Sequence, residues 1–356
     1  MNRPMMKWAP LSCIAVALSV FSLHAGSQQT PRAFQDIAPV PDLHTNTPIA
    51  MSTNHSKGRE SLSTTASPFT ASATANAAAT HSGPRYPGDL QYNGGPTIPF
   101  ASHHSIFVNP SAQCPPNTCW GDPVGFLSNL GRSEFIHVAD QYTGEDASNR
   151  YAGGANYFIP GYTPSAGAGK PFTNLDLAIA AYSLAAATSG FGFNHIYHLF
   201  LVPGQDVCFD STLRTCYSPD NGNTFAFCAY HGSASDSAGN LVLYTVEPYQ
   251  DVSGCSVRPG TPNGQLTDST NNVLSNETFE TITDPRGNAW WNVLDNGLFG
   301  EEIGDECAFL AFTATDVFFD PSIVRLNHKL YATQPEYNNE RHACTTSTGD
   351  WKGPKS

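Results

Sequence analysis

The sequence predicts an α+β fold: one disulfide-containing domain, a mixed sheet packed with helices, set behind a disordered linker. Three observations predict it. Short strand and helix patterns follow one another from residue 92 to about 350. Every cysteine but one falls in that span. Residues 26–84 have no period of 2 or 3.6, so they offer no face to bury.

Residues 1–25 read as a signal peptide. Arg3 and Lys7 supply positive charge, Leu11 to Leu23 is apolar, and His24-Ala25-Gly26 ends the run with small residues. The run is too short for a membrane span, and Cys13 lies inside it rather than at a lipidation position. Residues 26–84, rich in Ser, Thr, Ala and Pro, read as a spacer. The chain carries 17 Lys+Arg and a formal charge of −13. Loss of Arg3 and Lys7 takes the charge to about −15. With no basic cluster, the sequence argues against nucleic acid and anionic membrane surfaces as partners.

The domain then unfolds in order. Ser105 to Asn109 predicts a strand, and Cys114 to Cys119 a pinned loop. Phe126 to Leu130 and Glu134 to Tyr142 predict helices; Phe135, Ala139 and Tyr142 share a face, and His137 reads as a surface or core histidine. Asn156 to Pro160 predicts a strand. Asn174 to Thr188 is the clearest helix: Thr173 or Asn174 can cap it, Asp176 suits its first turn, and Gly190 can stop it. Its stripe of Leu177, Ala181, Leu184 and Thr188 predicts close packing on a sheet.

His195 to Val202 predicts a buried strand, in which His195 and His198 point to opposite faces, so one at most serves a site. Phe225 to His231 and Leu241 to Val246 predict a hairpin, with His231 placed to face a cleft. Ser253 to Asn272 reads as a loop, and Ala308 to Phe319 as a core strand. Of nine cysteines, eight follow the leader, an even number that predicts disulfides. Nearest-neighbour pairing gives Cys114–Cys119, Cys208–Cys216, Cys228–Cys255 and Cys307–Cys344.

Chemistry concentrates between Val273 and Cys307. A short amphipathic run carries Asn276, Glu277 and Glu280; a turn carries Trp290 and Trp291; a second acidic group holds Glu302 and Asp305. Zinc peptidases place ligands at i and i+4 of a helix with a general-base glutamate at i+1. Asn276, Glu277 and Glu280 have that spacing, with an amide in the first ligand position. Taken alone, Asn276, Glu280, Glu302 and Asp305 offer only oxygens, which suits calcium or magnesium. The competing reading is a solvated helix face. Trp290 and Trp291 read either as a sugar-stacking platform or as aromatics anchoring the turn. Asn276-Glu277-Thr278 and Asn54-His55-Ser56 are also glycosylation sequons.

Leu274 to Pro285, Asn288-Ala289-Trp290, and Glu302-Ile303-Gly304-Asp305-Glu306-Cys307 together resemble the EXORDIUM/phosphate-induced protein family, especially its secreted bacterial relatives. Cys228-Ala229-Tyr230-His231 is similar to that family's Cys-Gly/Ala-x-His element. The resemblance implies an extracellular, zincin-like domain associated with the cell wall. It implies Glu277 as general base and Glu280 with Glu302 or Asp305 as metal ligands; the ion expected is zinc, or calcium if the oxygen-only set holds it. Asn276 stands where the motif has His, and His231 is the substitute ligand the chain offers. Two functions follow as expectations: a wall-associated module with a degenerate, structural metal site, or a metal-dependent peptidase-like hydrolase. Either would meet an extracellular polymer, peptide or polysaccharide.

Overall fold

The computed structural model describes residues 32–35, 37, 40, 42–46, 49–52, 88–144, 152–292, 302–308, 318–319 and 321–347. The leader, Asn54 and most of the predicted strand Ala308 to Phe319 lie outside them.

An eight-stranded sheet forms the centre. Five strands run parallel in the order Arg32–Ala33, Ala152–Ile159, Ser102–Val108, His195–Leu201 and Leu241–Glu247. Phe227–Ser235 then pairs antiparallel with Leu241–Glu247, as the hairpin pattern predicts. His44–Thr45 and Ile49–Ser52 both pair with its far side. These early strands correct the expectation of a structureless spacer for residues 32–52; residues 53–84 lie outside the described ones. The segment shows no period because it makes only short edge pairings. Between them, Phe34, Ile37, Val40 and Leu43 pack onto the core.

One face of the sheet is apolar. Helix Asn174–Thr188 lies there, setting Leu177, Ala178, Ala181, Leu184 and Ala185 among Tyr197, Leu199, Leu201, Val242 and Val246. Its small side chains allow the close approach read from the sequence. Thr173 caps it: its hydroxyl accepts from Asp176 N, and Asp176 Oδ2 accepts from Thr173 N at 2.8 Å. The left-handed residue that ends it is Ser189 (φ 54°), one before the expected glycine. Gly190 matters for another reason: a Cβ there would sit 2.1 Å from Tyr197 Oη.

The other face is covered by helix Gln265–Thr283, helix Pro123–Leu130 and the turns Ile136–Ala139 and Asp140–Thr143. Phe107, Ile196, Phe200 and Leu243 from the sheet meet Leu274, Phe279 and Ile282 there. The long helix begins at Gln265, not after Asn272, so the expected loop is eight residues shorter at that end. Its polar opening turns read as loop because they bury no apolar stripe. They are held instead by hydrogen bonds: Asp268 Oδ1 accepts from Asn263 Nδ2 at 2.9 Å and Asn271 Nδ2 at 3.1 Å. The hairpin Ser322–Leu326/Lys329–Thr333 covers the helix's outer side, leaving residues 268–283 buried throughout. The solvated-face reading therefore does not hold.

Disulfides join Cys114–Cys119, Cys208–Cys216, Cys228–Cys255 and Cys307–Cys344, the nearest-neighbour set. The last ties the tail strands Glu336–Asn338 and Ala343–Thr345 to the second acidic group.

Candidate metal centre

Register builds the floor of the site. Ser105, His198, Thr245 and His231 are partners across four adjacent strands. In-register residues face the same way, so these four make a polar row on the face that helix Gln265–Thr283 covers. His103 and Glu247 lie two residues along their strands and join the same face. Hydrogen bonds link the row. His103 Nδ1 lies 2.8 Å from His198 Nε2, His198 Nδ1 lies 2.9 Å from Thr245 Oγ1, and Thr245 Oγ1 donates to Glu247 Oε1 at 2.7 Å. His195 faces the other way and meets His104 at 2.9 Å, as the strand alternation requires.

The roof carries the acids. Glu277 and Glu280 descend from the long helix, Glu302 and Asp305 come from the segment leading into the short helix Asp305–Ala308, and Glu336 comes from the tail strand; each is at most 2 % exposed. His231 Nε2 lies 3.0 Å from Glu302 Oε2. Glu280 Oε1 accepts from Asp305 N at 3.2 Å. One donor atom each from His231, Glu280 and Glu302 falls within 4.8 Å of the others. Zinc bound at about 2.0–2.1 Å in a tetrahedral site spaces its ligands by roughly 3.4 Å, so a small contraction would close this set around an ion.

The electrostatics fit a cation. Burial raises Glu277 well above the usual carboxylate range, and Glu280, Glu247, Asp305 and Glu302 raise it further. Glu280 is raised by burial and then by Asp305, Glu302 and Glu336; Glu336 by burial and Asp305. Burial pushes Glu247 up to about 8 and Asp284 up to about 6. No lysine or arginine is among the groups that shift Glu247, Glu277, Glu280 or Glu336. Among the described residues, both oxygens of Glu277 and of Glu336, and one of Glu280, have no hydrogen-bond partner. Burying such groups costs on the order of 1–3 kcal/mol each even when neutral, and more when charged. Burial lowers His231 to about 4, against a smaller pull from Asp284, so the imidazole is neutral and suited to a metal.

The structure thus brings His231, Glu280 and Glu302 together, with Asp305 behind Glu280 and Glu277 one helical turn before it. Asn276 is engaged elsewhere: its Oδ1 accepts from Gln334 Nε2 at 2.6 Å, and Gln334 Nε2 also donates to Gly304 O at 2.5 Å. That bond takes the amide oxygen a ligand role would need. Its sequon is fully buried, which closes it to a glycan in the folded chain. Trp290 anchors the turn, as one of its two readings held. Its Nε1 donates to Tyr142 O at 2.6 Å, and its ring lies 5.3 Å from Tyr92 and 5.2 Å from Tyr142. Trp291 is half-buried beside it in a two-residue strand.

Sequence reasoning missed Glu247, Glu336 and the His103–His198–Thr245 row. The one available signal was the alternation Leu243, Thr245, Glu247, which puts a carboxylate on the same face as His231. No family model, curated protein or solved structure matches the chain. Fold and site define an α+β protein with four disulfides; among the described residues no helix is long and apolar enough to cross a membrane. Both features are compatible with an extracellular protein.

Proposed function

We propose that this chain is a secreted metalloprotein, akin to the EXORDIUM-like proteins its motifs resemble, in which one zinc ion held by His231, Glu280 and Glu302 ties the long helix to the sheet. The convergence of those three buried donors carries the reading. A neutral imidazole beside two carboxylates favours zinc over calcium, which prefers oxygen alone. The ion would supply the positive charge that the surrounding carboxylates lack, and its role is then structural.

The test is metal content of the secreted protein, purified without chelator or histidine tag. The expected result is one zinc per chain, lost in His231→Ala and in Glu280→Gln. Metal-free wild type that takes up no zinc on titration would sink the reading. Calcium in its place would move the site to an oxygen-only set.

Glu277 favours a second reading, metal-dependent hydrolysis of an extracellular peptide. Its carboxylate is unpartnered and adjacent to the ligand set, as a general base would be. Glu277→Gln that keeps its zinc but loses hydrolysis of a peptide mixture would support this; equal turnover by both proteins would remove it.

A further inference from the structure

The three donors of the proposed centre reach it from three elements. His231 comes from the sheet, Glu280 from the long helix, and Glu302 from the turn that leads into Asp305–Ala308. Backbone hydrogen bonds of the sheet and the helix fix the first two. Glu302 lies outside helix and strand, so its distance from Glu280 depends on how the turn is tied to the helix.

Gln334 makes that tie with one side chain. Its Nε2 donates to Asn276 Oδ1 on the helix at 2.6 Å and to Gly304 O in the turn at 2.5 Å. Its backbone N donates to Ser275 Oγ at 3.2 Å, which pins it to the helix a second time. Gly304 lies flush against the same spot: a Cβ there would sit 1.9 Å from Asn276 Oδ1. Two neighbouring bonds support the turn, Asp305 N to Glu280 Oε1 at 3.2 Å and Tyr337 N to Ile303 O at 2.9 Å. Asn276 Nδ2 has no hydrogen-bond partner among the described residues, so the oxygen is the atom that works. Asn276 and Glu280 are four apart and share a helix face, and Gly304 is two residues from Glu302. The amide clasp therefore spans the gap between the two carboxylate ligands.

We propose that Asn276 and Gln334 are positioning residues that set Glu302 against Glu280, an inference that rests on the metal reading of His231, Glu280 and Glu302. By the i, i+4 spacing of zinc peptidases, Asn276→His would add a ligand and tighten the metal. The clasp predicts the reverse. Asn276→His removes the oxygen that Gln334 Nε2 binds and crowds the spot that Gly304 leaves open, so the turn shifts away from the helix. Hydrogen-bond partners that orient metal ligands typically carry about 10–100-fold in metal affinity.

Zinc affinity, read by competition with a chromophoric chelator, tests this beside urea midpoints in excess chelator. Asn276→Asp keeps the oxygen and should bind zinc within about 3-fold of wild type, while Asn276→His, Asn276→Leu and Gln334→Met should each bind about 10-fold or more weakly. Leu184→Ala, on the apolar face, lowers stability and should leave zinc affinity unchanged, which separates positioning from loss of stability. Should Asn276→Leu not fold, Gln334→Met and Asn276→His decide. Tighter zinc in Asn276→His, wild-type affinity in Gln334→Met, or equal weakening in Asn276→Asp and Asn276→Leu would overturn the proposal and leave the metal reading intact. A wild type that takes up no zinc would sink the metal reading, and the positioning role with it.

Discussion

Helix Asn174–Thr188 and helix Gln265–Thr283 cover opposite faces of one sheet, and they meet burial in opposite ways. The first buries Leu177, Ala178, Ala181, Leu184 and Ala185 and turns its outer side, including Leu175 at 46 % exposure, to solvent. Its stability is hydrophobic and local, resting on a stripe and a satisfied cap. The second has no outer side. Asn276, Glu277, Thr278, Glu280 and Thr281 are each 0 % exposed, and several of their polar atoms have no partner. A helix of this kind is not held by burial alone; it needs a counter-charge or bound protons. On the reading proposed above, one face of the molecule is therefore indifferent to metal, while the other answers to metal and to bound protons.

That contrast can be broken in several ways. The largest effect belongs to the apolar face: Leu184→Ala should cost about 3 kcal/mol in urea unfolding, equally with zinc or with chelator. In chelator, Glu280→Gln should instead be neutral or stabilising, since it removes one buried acid. A loss in Glu280→Gln as large as in Leu184→Ala would end the comparison. Next comes metal itself. Zinc at 100 times its dissociation constant should add about 2.7 kcal/mol to wild type and nothing to His231→Ala.

The third effect is on pH. Glu247 holds its proton up to about 8 in the folded chain, against an ordinary 4.5. A carboxyl that binds its proton more tightly when folded gives its full stability below about 4.5 and loses it as pH rises through about 8. In chelator, Glu247→Gln should fall less than wild type between about pH 5 and about pH 8, read as urea midpoints; parallel falls would place the proton elsewhere. The smallest effect is again on the apolar face, where Thr173→Ala should cost about 1 kcal/mol by removing the cap, equally with zinc or with chelator.

The same contrast explains what could be read in advance. Helix Asn174–Thr188 was legible because a cap, a first-turn acid and a small-residue stripe all act locally. The nearest-neighbour disulfides and the hairpin around Asp236 were legible for the same reason. Gln265 to Asn272 was not, because a polar run signals loop unless something distant buries it, and here the hairpin after Ser322 does. In the site, Glu280, Glu302 and His231 could be picked out as ligand types. Their convergence could not, since it depends on strand register and on a tail that returns through Cys344. Glu336 sits 56 residues past Glu280, a distance no local pattern bridges. Asn276 shows the limit from the other side: its spacing fits a ligand, but Gln334 claims it.

The early strands carry a last consequence. Arg32–Ala33 adds to one rim of the sheet, and His44–Thr45 and Ile49–Ser52 add to the opposite rim, with Phe34, Ile37, Val40 and Leu43 lying across the apolar face between them. The segment is a hoop around the sheet, although none of the four disulfides holds it. A protease that cut once after Ser52 would sever the covalent link and leave the hoop in place. The product would run as one particle in native mass measurement and as two fragments in denaturant, a nicked protein complemented by its own first strands.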